Sequence, residues 1–210
     1  MSSPDDNPVH AGRYWPWVLL RALPAIVVAI VITFSADHSA RLGFLMFGIL
    51  ALAGGAVVLV GAVRALEGVV RWCFAVQGAV GVVLGAIALV SGGAGLPFLI
   101  LLVSAFAVLT GFLELYSGLR SRRRNDSARD WIFAGALTVL FAIVVLVVPA
   151  DYTQPFTGPD GIERALTASV VLVGVLGAYA AILGVYLVIA GLSLKWAPRS
   201  VAATAAESGS

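Results

Sequence analysis

The chain is poor in charge and nearly devoid of cysteine. Of its 210 residues, 11% are charged, against about a quarter in ordinary globular domains. A soluble protein of this length cannot cover its core with so few charges, which excludes a water-exposed globule and makes the bilayer the solvent. The single cysteine, Cys73, excludes an intrachain disulfide. It has no partner in sequence for redox or metal chemistry and reads as a small packing residue. His10 and His38 lie in different non-membrane segments. No His/Cys/carboxylate cluster with metal-ligand spacing exists, so no metal is expected. A Gly-rich phosphate loop, HExxH and GxSxG are all missing. We therefore expect no enzyme, no catalytic residue and no cofactor. The basic loop is too short to argue for nucleic acid.

What is present is apolar. Hydrophobic residues make up 60% of the chain, mean hydropathy is +1.02, and there are 23 glycines, a residue commoner in membrane helices than in soluble ones. The pattern predicts six spans near Trp15–Phe34, Leu42–Val63, Trp72–Val90, Leu96–Leu119, Trp131–Val148 and Leu166–Leu194. Each is long enough for a bilayer, which needs roughly 17 to 25 residues. Several lack the polar face of a surface helix, and none alternates as a barrel strand does. The first run contains Arg21 and Pro24 and lacks a clear cleavage site, so it reads as a retained span. The fold class is thus all-α: a polytopic membrane protein with a transmembrane domain over residues 15–194. Residues 1–14 read as a flexible N-terminus and 195–210 as a disordered tail.

Lysine and arginine orient the bundle. One side holds Arg13, Arg21, Arg64, Arg71, Arg120, Arg122, Arg123, Arg124, Arg129, Lys195 and Arg199, and the other only Arg41 and Arg164. That bias puts both termini in the cytoplasm and the loop from Tyr152 to Glu163 outside. Trp15, Trp17, Trp72, Trp131 and Trp196 fall at the inner interface, where amphipathic rings settle.

The chain also repeats. Small residues recur at offsets 0, 3 and 7 in Ala22, Ala25 and Ala29, in Gly78, Gly81 and Gly85, and in Gly135, Thr138 and Ala142. Glycines seven apart mark the second helix of each pair: Gly54 and Gly61, Gly111 and Gly118, Gly184 and Gly191. Six helices are therefore built as three repeated helix pairs. Such faces read as packing seams, since helices in lipid gain from the close contact that small residues permit. The alternative reading is a smooth face lining a pathway or a moving joint.

Three polar side chains lie inside the spans at one depth. Arg21 and Glu114 are each roughly 8–9 Å from the inner edge at 1.5 Å per residue, and Gln77 occupies the position matching Arg21 in the repeat. Glu114 shares a face with Gly111 and Gly118. A carboxylate facing lipid is costly, so Glu114 is expected to point inward and approach Arg21 or Gln77. The group reads either as a structural clamp or as a proton- or ion-responsive site. The third copy has Ala134 and Leu187 at the matching places. The run Arg120, Arg122, Arg123, Arg124 anchors topology or meets anionic lipid. Glu67 is spaced for helical pairing with Arg64 and Arg71. Pro24 reads as a kink, and the outer loop as a plain connection or a contact site.

Four segments carry a resemblance. Trp17-Val-Leu-Leu-Arg21-Ala-Leu-Pro-Ala-Ile, Trp72-Cys-Phe-Ala-Val-Gln77-Gly-Ala-Val-Gly-Val-Val-Leu-Gly85 and Trp131-Ile-Phe-Ala-Gly135 each place an aromatic opening before a small-residue helix. Gly111-Phe-Leu-Glu114-Leu-Tyr-Ser-Gly118-Leu-Arg120 ends in glycine and then a basic residue. The arrangement resembles the HdeD-type acid-resistance membrane proteins of bacteria, from about Trp15 to Leu194. It departs at Ala22 and Pro24, and in the long loop before the sixth helix. The resemblance implies a non-enzymatic inner-membrane protein with a role in acid or envelope stress, and carries no catalytic residues. Two other readings stand beside it. One is a small transporter or channel subunit coupled through Glu114. The other is an accessory subunit of a larger membrane complex. Expected partners are the lipid bilayer and either a second copy or another membrane protein.

Overall fold

The structure, a computed structural model, describes residues 11–122, 125, 127–157 and 163–196. Six helices carry the fold: α1 Ala11–Phe34, α2 Ala40–Ala65, α3 Gly68–Val90, α4 Leu96–Ser121, α5 Ala128–Val147 and α6 Ala168–Trp196. All six are long and apolar enough to cross a membrane. The all-α polytopic layout therefore holds. Several helix ends run up to a turn beyond the sequence boundaries, because interfacial residues such as Arg64 and Arg71 still complete helical turns. But α5 stops at Val147, and α6 starts at Ala168 rather than Leu166, since Leu166 and Thr167 are paired in a strand. The helix α1 starts at Ala11, inside the segment read as flexible, and α6 reaches Trp196. The rest of the expected flexible N-terminus and tail lies outside the described residues. The helix α1 runs unbroken through Pro16 and Pro24.

Connections are short and locally determined. Between α2 and α3 the chain is extended at Leu66 and Glu67, and Gly68 takes a φ of +58°. That left-handed turn is open to glycine at little strain. Glu67 stands at the N-cap of α3, its carbonyl accepting from the Arg71 amide at 3.3 Å. The turn before α4 ends on Gly95 at φ +85°, followed by Pro97 in the first turn of the helix, where a missing N–H leaves nothing unsatisfied. The loop after α5 is more than a plain connection. Strands β1 Thr153–Thr157 and β2 Glu163–Thr167 pair antiparallel, Thr153 opposite Thr167. Threonines favour the extended chain, and Pro155 is tolerated because a two-stranded ribbon has two open edges. The Ala168 amide closes the ribbon on the Tyr152 carbonyl at 2.9 Å.

The helices form a ring. Each packs against its neighbours in chain order, and α6 closes back onto α1; α2 also touches α4 and α6. The tightest seams are α2 with α3, α4 with α5, and α6 with α1. Two helices of one repeat thus pack more loosely than helices of successive repeats. Small residues explain this. A Cβ on Gly78 would lie 2.5 Å from the Leu59 amide nitrogen, and one on Gly135 2.5 Å from that of Leu115. Backbone there rests on backbone. Gly81 and Gly85 face Ala51, Gly55 and Leu52 in the same way, while Gly111 and Gly118 meet α5 at Val139 and Ile132. In the third seam Gly184 and Gly191 receive Ile26 and Leu19 of α1, and Ala22, Ala25 and Ala29 are buried.

Two assignments change. A Cβ on Gly54 would touch nothing, and the neighbouring Gly55 meets Gly78 and Gly81 in the α2–α3 seam. Gly48 and Gly55 share the same seven-residue spacing as Gly54 and Gly61, turned by about 100°, so spacing alone did not select the face. Gly61 instead accommodates Trp17 of α1. Trp131 is 3% exposed and belongs to the core, not to an interfacial belt. Trp72 and Trp196 are about 70% exposed. Trp15 and Trp17 lie beneath the cations of Lys195 and Arg64 at 5.2 and 5.9 Å.

The seams predict a contrast between two one-carbon additions. Gly135→Ala pushes a methyl into rigid backbone and should lower stability in mild detergent by about 1–3 kcal/mol. Gly54→Ala should stay within about 0.5 kcal/mol of the parent. Equal losses in thermal or SDS-driven unfolding would refute the assignment of the seam to Gly55.

Candidate functional site

The ring brings α1, α3 and α4 together through one polar group. Arg21 reaches across from α1 and donates two hydrogen bonds to Glu114 of α4, Nη1 to Oε1 at 2.6 Å and Nη2 to Oε2 at 2.8 Å. The Gln77 amide of α3 donates to Oε2 at 3.0 Å. Glu114 is 1% exposed and the Arg21 side chain 15%. The planar guanidinium matches a carboxylate in this two-point geometry better than any other cation. Since a carboxylate only accepts, Gln77 must present its nitrogen, and its Oε1 is left buried without a hydrogen bond to the described residues. The sequence expectation that Glu114 meets Arg21 or Gln77 corresponds here to a contact with both.

Repeat equivalence clarifies the site. Arg21, Gln77 and Ala134 occupy matching places on the odd helices, and Val57, Glu114 and Leu187 on the even ones. Five of these six line a single small cavity beside the ion pair, with Tyr14, Trp131 and Asp130 among its other walls. A second cavity lies on the far side of Arg21, against Gln77, Thr110, Tyr179 and Leu183. Each measures about 30 Å³. Such a volume suffices for one or two waters, provided polar partners are present. Gln77 and Arg21 supply them in the second cavity.

Around the pair stand polar contacts that sequence reasoning missed. Trp131 donates its indole N–H to the Tyr14 hydroxyl at 3.0 Å, and the two rings meet edge to face. Thr138 and Tyr179 share a hydrogen bond of 2.9 Å, and Tyr179 stacks on Phe141. Tyr186 donates to Asp130 at 2.8 Å. Tyrosine and tryptophan count as apolar in a hydropathy window, which hid them. Their signal was the hydroxyl or N–H, which needs a partner when buried. Thr110, Ser117 and Thr138 each donate to the carbonyl four residues back, the ordinary way a hydroxyl is satisfied within a helix.

The opposite half of the bundle, toward the hairpin, is apolar. Phe47 and Phe106 pack edge to face at 5.4 Å, and Phe44 lies 6.3 Å from Phe98. Leu99, Val103, Val173 and Leu176 fill the space between them and are buried. The polar group therefore sits in the half nearest the start of α1 and the end of α6. The basic run is only partly visible. Arg120 is exposed and its Nη1 lies 3.4 Å from the Tyr116 hydroxyl; Arg122 follows α4, while Arg123 and Arg124 lie outside the described residues. Among the described residues no three His, Cys, Asp or Glu side chains converge as metal ligands do. Cys73 is a half-buried free thiol.

A buried pair broken on one side leaves an uncompensated charge. Glu114→Ala should therefore destabilise by about 3–5 kcal/mol. Arg21→Met combined with Glu114→Leu replaces both groups by apolar ones and should cost less than Glu114→Ala alone. Unfolding of the parent, Glu114→Ala, Arg21→Met, Glu114→Leu and the double variant in mild detergent decides this; strictly additive losses for Arg21→Met and Glu114→Leu would show that the two residues do not act as a pair.

Comparison with known proteins agrees with the repeat. The family described as a short repeat of unknown function (DUF308) matches the chain twice, over residues 20–90 and 76–147. Each match opens in an odd helix next to Arg21 or Gln77 and ends at the close of the following odd helix. The hairpin and α6 fall outside both. No curated protein and no solved structure gives a match. Three tight seams at repeat spacing, and two matches that together span more than half of the chain, place it: this protein is an integral membrane protein belonging to the DUF308 short-repeat family.

Proposed function

We propose that the chain is a non-enzymatic protein of the HdeD type, set in a bacterial inner membrane with both termini in the cytoplasm, which supports tolerance of acid or envelope stress. HdeD-type proteins belong to the matched family. Eleven basic residues on the side of the termini, named above, against two on the other support the orientation. One observation carries the reading. Both oxygens of Glu114 are engaged across the ring by Arg21, with Gln77 on Oε2. A carboxylate held this way clamps three helices. It is poorly suited to load and release an ion, because breaking the pair leaves Arg21 unneutralised. The packing beyond it supports the same view. Toward the hairpin end the buried polar side chains among the described residues include Thr110, Thr138, Tyr179 and Ser104. Of these, Thr110 and Thr138 donate to carbonyls of their own helices and Tyr179 bonds Thr138, and Phe47 and Phe106 pack edge to face.

The transporter reading rests on the two water-sized cavities that touch Arg21. Proteoliposomes separate the two. With the parent protein, an imposed proton gradient should decay no faster than in protein-free vesicles, and Glu114→Gln should change nothing. Decay that the parent accelerates and Glu114→Gln abolishes would replace the clamp by a coupled acid. In cells, loss of the protein should reduce survival after acid shock, and Glu114→Ala should fail to restore it. Full survival without the protein would remove the stress role. Pull-down in mild detergent followed by mass measurement tests the accessory-subunit reading.

A further inference from the structure

At the hairpin end of the bundle, the loop after α1 and the turn after α3 enclose a slot of about 700 Å³. This falls within the 300–1,000 Å³ of small-molecule sites. Its rim is charged and its wall apolar. Asp37 and Arg41 stand on the rim, Leu45 and Leu89 form the wall, and Gly92 and Gly93 form one side. A Cβ on either glycine would meet nothing within 4 Å, so that side is bare backbone beside open space. Leu45 and Leu89 are 47% and 38% exposed and lie where α2 and α3 meet, since Leu89 packs over Gly48.

The two charges are not spent on each other. Arg41 makes no ion pair among the described residues. Asp37 is held in place: its Oδ1 accepts from the Ser39 amide at 2.8 Å and its Oδ2 from the Ser39 hydroxyl at 3.0 Å. Ser39 in turn caps α2 by accepting from the Leu42 amide at 3.3 Å. A carboxylate has about four acceptor sites, so Asp37 keeps capacity for a donor in the slot. The depth is that of lipid headgroups, one turn from the end of a membrane-spanning helix.

We propose that this slot binds a phospholipid with a protonated amine, phosphatidylethanolamine, from the leaflet at the hairpin end. The lipid phosphate meets Arg41, the ammonium meets Asp37, and an acyl chain lies along Leu45 and Leu89. Charge complementarity chooses this occupant. The phosphate of phosphatidylglycerol satisfies Arg41, but its neutral glycerol brings Asp37 no counter-charge. A choline headgroup brings a cation with no N–H to donate to the carboxylate. The ammonium group brings three.

The test uses the full-length protein in mild detergent, offered equal amounts of phosphatidylethanolamine, phosphatidylcholine and phosphatidylglycerol with matched chains. Bound lipid is counted by native mass spectrometry. The parent should retain phosphatidylethanolamine about threefold over either competitor, the discrimination expected of one partly exposed ion pair. Asp37→Asn keeps an acceptor for the Ser39 amide and removes the charge, so the preference over phosphatidylcholine should vanish. Arg41→Gln should lower phosphatidylethanolamine binding about threefold as well. Melting temperatures equal to the parent's confirm that both variants are folded. A parent without preference, or an Asp37→Asn protein that keeps it, would overturn the proposal. So would unchanged phosphatidylethanolamine binding by Arg41→Gln.

Discussion

Helices in a bilayer have little to gain from hiding apolar side chains, because lipid is as apolar as leucine. They are held by how closely their backbones approach, and in this protein that closeness is set by residues lacking a side chain. Backbone meets backbone where Gly78 and Gly81 lie against α2 and where Gly135 lies against α4. The third seam substitutes alanines on α1 and glycines on α6. Everything else follows from these three approaches. They fix the ring, and the ring places α1 opposite α4, so that Arg21 and Glu114, 93 residues apart, come within 2.6 Å.

A ring of three similar repeats would place the same side chain three times around its middle. For ionisable groups that arrangement fails, since three carboxylates or three guanidiniums would repel one another in a poor solvent. The chain avoids this by divergence. One position carries Arg21, Gln77 and Ala134; the other carries Val57, Glu114 and Leu187. One cation, one anion and one amide make a neutral group, and apolar residues fill the remainder. The third repeat, left apolar at these positions, contributes its polarity elsewhere, through Thr138 with Tyr179 and Asp130 with Tyr186.

Much of the scaffold was legible because its physics is one-dimensional. Span length, charge asymmetry and small-residue spacing are properties of a single helix, and they located all six helices. The juxtaposition of Arg21, Gln77 and Glu114 was legible as well, because shared depth and the cost of a bare carboxylate leave few alternatives. What escaped depends on rotation and partner choice. Gly54 and Gly55 differ by one step around a helix, and only the neighbouring helix distinguishes them. Trp131 opens its span as an interfacial tryptophan does, yet the Tyr14 hydroxyl draws it inward. The hairpin escaped since strand pairing joins residues across a loop in which no apolar alternation marks the strands.

The cross-ring contact also dictates an order of events during synthesis. Arg21 enters the membrane with the first helix, while Glu114 is still 93 residues away along the chain. At about 5–20 residues per second, the cation waits roughly 5–20 s for its counter-charge. Through that interval the guanidinium lacks its partner on α4, and its long stem lets it reach toward the headgroups. Arrival of α4 offers the charge a place inside, and arrival of α6 supplies the seam that holds α1 there. The first helix to be made thus has its tightest seam completed only by the last.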